Sequence, residues 1–233
     1  MPYHANSKAA RGIPLAERFP AQFVPDTRTK ILLLIVDAKF GADWAGSEHQ
    51  AFIEQLLEDY NVYATTPASA VSDIKYKKAN IILIIGADTL HRSCDREGTI
   101  AQLSSFAQAG GTVIFVGVPW GLSPDEEKDE KVFHALGLSW TVGATANAWN
   151  KRIANHPIMP YLRIKIQATY LKNVSEGALY RVCSNEMGAQ ASIGAQCPVA
   201  YQPYGDGYMA YLGHEDMFGE EAWEVLTTLC EAE

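Results

Sequence analysis

Three features of the 233-residue chain predict a doubly wound α/β fold built on a mainly parallel sheet. The runs Ile31 to Val36 and Ile81 to Ile85 are apolar at every position, the pattern of strands buried on both faces. Stretches with helical spacing of apolar residues alternate with such runs. Glycine-containing turns close the runs, among them Phe115-Val116-Gly117-Val118-Pro119-Trp120-Gly121.

The opening, residues 1–29, is polar, holds Pro2, Pro14, Pro20 and Pro25, and has no sustained period. It reads as an arm lying over the domain or over a partner subunit, which makes a homodimer through this arm an expectation. Lys30 to Asp37 then forms the first strand, an apolar run closed by an acid. Ser47 and Gln50 have the spacing of a capping box, and Phe52, Ile53, Leu56, Leu57 and Tyr60 recur at helical intervals behind them. Asn61 to Thr65 is a short second strand and Ala79 to Gly86 a third, ending in the polar loop Ala87-Asp88.

Glu97 to Ala109 carries Ile100, Leu103 and Phe106 on one stripe, stops at Gly110-Gly111 as at a glycine C-cap, and leads into the fourth strand, Thr112 to Val116. A right-handed crossover follows from that order. Ser123-Pro124-Asp125-Glu126 starts another helix, with proline just after the cap and acids in the first turn, and Gly137 ends it. Leu162 to Ile166 and Ala178 to Val182 alternate like half-exposed strands. Pro198 to Gln202 and Tyr208 to Leu212 flank Tyr204-Gly205-Asp206-Gly207 as a hairpin, and Glu220 to Cys230 turns Ala222, Val225, Leu226 and Leu229 to the core as a terminal helix. With no internal repeat or low-complexity linker, residues 30–233 read as one domain.

A hydrophobic content of 48% is ample for a core, and a formal charge of -8 argues against a surface that neutralises nucleic-acid phosphates. The short basic stretch Lys75-Tyr76-Lys77-Lys78 reads as a solvated loop or helix end. No apolar run is long enough to cross a bilayer and the first thirty residues have no apolar signal core, so neither a membrane nor a secretory route is expected. Cys94, Cys183, Cys197 and Cys230 lie far apart, without Cys-x-x-Cys or zinc-ligand spacing, as reduced thiols of a cytoplasmic protein do, with the nucleus a second possible compartment.

In open α/β sheets ligands gather beyond the carboxyl ends of the strands, which selects Asp37, the Gly86-Ala87-Asp88 loop, the Gly117 turn and the segment after Leu212. The Gly117 turn has the Gly-x-Nuc-x-Gly spacing of a nucleophile elbow, but Pro119 stands at the nucleophile's place and brings neither a reactive atom nor a backbone donor. A covalent step at that position is excluded. The turn is then either structural or the rim of a non-covalent pocket with Trp120 as a wall.

His214-Glu215-Asp216 emerges from a strand end, where an imidazole could exchange protons near neutral pH. A surface turn is the competing reading. His156, before Pro157, lines the same cleft or is simply an extended residue before proline. Asp37 needs a partner, a ligand or a cap role to sit beside a buried sheet. Cys94 near His91 admits a Cys-His nucleophile as a weaker option. No His-x-x-x-His or paired spacing marks a metal site, and nothing indicates a cofactor.

Together, the order of elements, Ala109 to Gly117, Asn155-His156-Pro157-Ile158, Pro198-Val199-Ala200-Tyr201, Tyr204-Gly205-Asp206-Gly207-Tyr208 and Leu212-Gly213-His214-Glu215 resemble the class I glutamine-amidotransferase-like superfamily, and within it the trehalose-utilisation (ThuA-like) branch. The resemblance runs from about Lys30 to the C-terminus. It implies a flavodoxin-like, three-layer sheet, no glutaminase cysteine, and for the branch a role in sugar metabolism. Near the start of the chain His49 is the one candidate for the branch's early histidine motif.

Two functions follow as the main expectations, with a Cys94-dependent hydrolase as a weaker third. The first is an enzyme or binder of a small, sugar-like polar metabolite, using His214, Glu215 and Asp37, with Gly117, Trp120, Asp88 and His156 around the ligand. The second is a non-catalytic interaction or assembly module that keeps the fold without the chemistry, and Pro119 favours it.

Overall fold

Every residue of β3, Ile81–Ile85, is buried, as is every residue of β4, Thr112–Val116. A strand covered on both sides is apolar nearly throughout, which is why β3 is an unbroken apolar run and β4 is one from Val113 onward, with only Thr112 polar. The computed structural model describes residues 31–35, 48–66, 68–76, 79–85, 90, 96–117, 132–153, 159, 161, 163–174, 177–183, 196–214 and 220–232. Around β3 and β4 the elements run β1 (Ile31–Ile35), α1 (Glu48–Asp59), β2 (Asn61–Thr65), α2 (Ala70–Tyr76), β3, α3 (Arg96–Gln108) and β4. There follow β5 (Thr141–Arg152), β6 (Arg163–Lys172), β7 (Tyr180–Val182), β8 (Val199–Tyr204), β9 (Gly207–Leu212) and α4 (Glu220–Glu231).

The main sheet has the order β2-β1-β3-β4-β9-β8. All its neighbours pair in parallel except β8 with β9, the C-terminal hairpin, whose turn joins Tyr204 to Gly207. Period-two alternation sends the two halves of each strand into different cores. Ile81, Leu83 and Ile85 join Ile114, Val116 and Leu212 under Leu56 of α1 and Val225, Leu226 and Leu229 of α4. Ile82 and Ile84 join Val113, Phe115 and Met209 under Ala70 and Ile74 of α2 and Ile100 and Leu103 of α3. Helices thus contribute to the core on both faces of the sheet.

The fold class needs one correction. A single mainly parallel sheet accounts for only part of the chain, because β5, β6 and β7 form a second, antiparallel sheet of order β6-β5-β7. The start of β6 alternates exposed and buried residues, as expected of a strand with one face in water. Its buried side chains Ile164, Ile166, Ala168 and Tyr170 share the core that holds α1 and α4.

Other expected elements hold with shifted ends. The glycine stop of α3 is a C-cap, with Gly110 at φ 99° and the Gly111 N–H donating to the Phe106 carbonyl at 3.1 Å. Of the helix expected from Ser123, residues 132–135 are helical and Gly137 closes the turn after them; its start lies outside the described residues. The expected arm, residues 1–29, also lies outside them. Among the described residues no helix is long and apolar enough to cross a membrane.

Candidate functional site

The carboxyl ends of β4 and β9 lie side by side, with Val116 paired to Leu212 in parallel register. Gly117 is the first residue past β4. Its φ of 75° is a left-handed conformation that a side chain makes costly, so glycine turns the chain there while its N–H donates to the Leu212 carbonyl at 2.8 Å. This bond ties the start of the elbow-like turn to the end of β9.

Past Leu212 the constraint is space rather than dihedral angle. A Cβ on Gly213 would lie 2.0 Å from the Thr169 carbonyl oxygen and 2.8 Å from the Tyr211 hydroxyl. The bare backbone donates its N–H to the Pro198 carbonyl and accepts from the Thr169 N–H, both at 2.9 Å, so Gly213 joins β9 to β8 and to β6 of the second sheet. His214 continues this crossing as an isolated antiparallel bridge to Ala168.

His214 is only 6% exposed. It sits at the seam between the two sheets, and the surface-turn alternative does not describe it. Polar groups hold the seam from behind: the Tyr211 hydroxyl donates to the Thr169 carbonyl at 3.0 Å, and the Thr145 and Thr169 hydroxyls are 2.7 Å apart. The Gln196 side-chain carbonyl accepts from the Ala144 N–H at 3.0 Å. A buried polar group without a partner is costly, so these bonds favour one alignment of the sheets. Sequence reading found the Leu212-Gly213-His214 segment but not Thr169, Tyr211 or Thr145, whose roles appear only once β6 is paired.

The fold therefore brings two candidates, Gly117 and His214, to the same end of adjacent strands. Asp37, Asp88, Trp120, His156 and Glu215 lie outside the described residues, as do Pro119, His91 and Cys94. Among the described residues, no group of three or more His, Cys, Asp or Glu side chains is placed to hold a metal ion.

Cys183, Cys197 and Cys230 are buried and form no disulfide among the described residues. Burial pushes the Cys197 thiol up to about 12, against a smaller opposing pull from Arg181. A thiolate is the reactive form, so iodoacetamide at neutral pH is expected to leave Cys197 unlabelled in the native protein and to label it after denaturation, as read by peptide mass mapping. Native labelling at the rate of a free thiol would contradict this burial.

Comparison with solved structures places the architecture. A ThuA-like protein from Bacteroides uniformis superposes with a TM-score of 0.56 at 12% identity, covering 91% of this chain and 93% of that one. The fold is that of ThuA-like proteins. A cytoplasmic protein from Salmonella typhimurium matches with a TM-score of 0.56 at 8% identity, over 85% of this chain and 96% of its own. A β-galactosidase from Bacillus circulans sp. alkalophilus matches with a TM-score of 0.55 at 11% identity, over 87% of this chain but 31% of the enzyme. The ThuA-like fold thus occurs both as a nearly whole chain and as about a third of a larger one. The chain matches no family profile and no curated protein. At these identities the likeness is one of fold.

Proposed function

We propose that the chain is a ThuA-like domain that binds a small, sugar-like polar metabolite at the carboxyl ends of β4 and β9, without glutaminase chemistry. The observation that carries this reading is the Gly117 N–H bond to the Leu212 carbonyl, which fixes Gly117, the first glycine of the elbow-like sequence, beside the strand end that His214 follows. Pro119 leaves that turn no nucleophile, so the site works through shape and hydrogen bonds, with His214, Glu215 and Asp37 as its polar groups. Gly117 and Trp120 form the wall, and Asp88 and His156 complete the rim.

A flavodoxin-like, three-layer arrangement and the wider amidotransferase kinship are part of this proposal. The β2-β1-β3-β4-β9 order and the helices on both faces support them. Residues 30–233 are taken as one domain because one core cluster includes side chains from both sheets. A cytoplasmic location accords with the name of the Salmonella neighbour. Dimerisation through residues 1–29 belongs to the same reading.

One observation favours the second function, an interaction or assembly module: the same fold spans only 31% of the β-galactosidase it resembles. A thermal-shift panel of neutral sugars, sugar acids and sugar phosphates separates the two. A ligand at about 100 times its Kd adds roughly 2.7 kcal/mol to stability. The metabolite reading expects at least one class to raise the Tm of the native protein and expects His214→Gln to lose that rise, with Trp120→Phe as a second probe should the glutamine variant melt without cooperativity. A panel with no stabilising member would favour the module.

A further inference from the structure

The second sheet segregates charge. Its strands contain no Asp or Glu, in a chain with 27 acids against 19 Lys and Arg. The inward residues Ala148, Ile164, Ile166, Tyr180 and Val182 are buried, so the alternate residues face solvent together. Register then sets the exposed face. Lys151 of β5 stands directly between Arg163 of β6 and Arg181 of β7, a row of three cations across three strands. Two residues along, Trp149 is opposite Lys165, and beyond that pair Asn147 is opposite Gln167. All of these are exposed, and Trp149 at 40% is one of two large apolar side chains exposed among the described residues.

Like charges directly opposite on a sheet destabilise it. No ion pair among the described residues relieves these four cations. An arrangement that costs stability and sets an aromatic ring among cations has the composition of a surface that tracks a charged backbone while stacking planar rings. Strands lie about 4.8 Å apart and same-face residues about 6.7 Å apart, so the face is a narrow strip suited to a linear polymer rather than to a globular partner. Two of the cations are arginines, whose planar guanidinium can bond phosphate oxygens in pairs.

We propose that the exposed face of the β6-β5-β7 sheet binds single-stranded nucleic acid, with Arg163, Lys151, Arg181 and Lys165 on the phosphates and a base stacked on Trp149. This reverses the expectation drawn from net charge. Net charge averages over the whole surface, whereas screening at about 8 Å in physiological salt leaves the local cations to decide. Stacking requires an unpaired base, which selects a single strand over a duplex.

The test is fluorescence anisotropy of a labelled oligodeoxythymidine of about 12 nucleotides, a length within the usual single-strand site size, titrated with the full chain. The salt range runs from about 50 to 200 mM. Four phosphate contacts predict a slope of log K against log salt of about -2.8, and Lys151→Ala with Arg163→Ala should shallow it by about 1.4. Trp149→Ala should weaken binding roughly 5- to 150-fold with the slope unchanged. Relief of like-charge crowding should at the same time raise the Tm of Lys151→Ala, an outcome that separates lost binding from lost folding. No binding at the lowest salt, or binding indifferent to these substitutions, overturns the proposal. So does heparin binding as tightly as the oligonucleotide with no dependence on Trp149, which would assign the face to an acidic glycan.

Discussion

Replacing Trp140 with alanine is expected to cost about 3–5 kcal/mol, the usual loss for a fully buried tryptophan. Its side chain is fully buried and meets the Phe133 ring edge-on at 5.6 Å. Phe133 in turn contacts Phe115 of β4 at 5.3 Å and Tyr211 of β9 at 6.2 Å, so the cavity would open beneath the two strands that end at the candidate site. The indole N–H also donates to the Gln202 side-chain carbonyl at 3.2 Å. For a chain of this size the loss corresponds to a Tm lower by roughly 6–20 °C. Chemical denaturation of Trp140→Ala and Trp140→Phe checks the argument: phenylalanine should recover much of the loss by refilling the cavity, though not the bond to Gln202. A loss under about 1 kcal/mol for the alanine variant would mean that this cluster does not hold the sheet.

Gly213→Ala should be comparably severe for a different reason. The added methyl would sit 2.0 Å from a backbone carbonyl, that of Thr169, which no rotamer change can move aside. Overpacking costs about 1–3 kcal/mol, and loss of the two flanking backbone bonds, to Pro198 and from Thr169, adds about 1 kcal/mol each. Because His214 follows immediately, the proposed metabolite site would lose its ligand stabilisation along with the seam. Gly137→Ala is the control. Its Cβ would meet nothing within 4 Å, so only the φ of 75° is penalised, at roughly 1–2 kcal/mol. Denaturation midpoints that rank Gly213→Ala well below Gly137→Ala support close approach as the reason for glycine at 213. Equal midpoints would remove it.

What the sequence displayed and what it hid follow from how each element is buried. Parallel strands such as β3 announce themselves because both faces are dry. The hairpin was legible from Tyr204-Gly205-Asp206-Gly207, whose turn chemistry is local, and α4 from its apolar stripe. The short helix α2 has no legible signal, since only Ala70 and Ile74 are buried in it and two residues make no period. The long strand β5 has none either, because Thr141–Arg152 is composed largely of small and polar residues and its first half is only partly buried. Pairing with β6 and β7 holds it extended, a tertiary effect that propensity does not report. β6 is legible only at its alternating start, since from Ala168 to Leu171 every residue is buried and the alternation disappears.

The candidate site divides in the same way. Gly117 and His214 were visible as residues after apolar runs, and the parallel register of β4 with β9 makes them neighbours. The seam behind them depends on β6 and could not be read from local pattern. The cationic face was hidden for a related reason. Lys151, Arg163 and Arg181 are far apart in sequence, and only antiparallel register aligns them against a net negative background.

The most direct test of the metabolite-site account is a crystal structure of the protein as purified and after soaking with the sugar panel, read at the carboxyl ends of β4 and β9. The account predicts an open cleft walled by Gly117 and Trp120, with the His214 imidazole and a carboxylate of Asp37 or Glu215 in hydrogen-bond reach of ligand density. Trp120 packed over Gly117, filling that space with no ligand density in either crystal, would contradict it and leave the interaction module as the function of this fold.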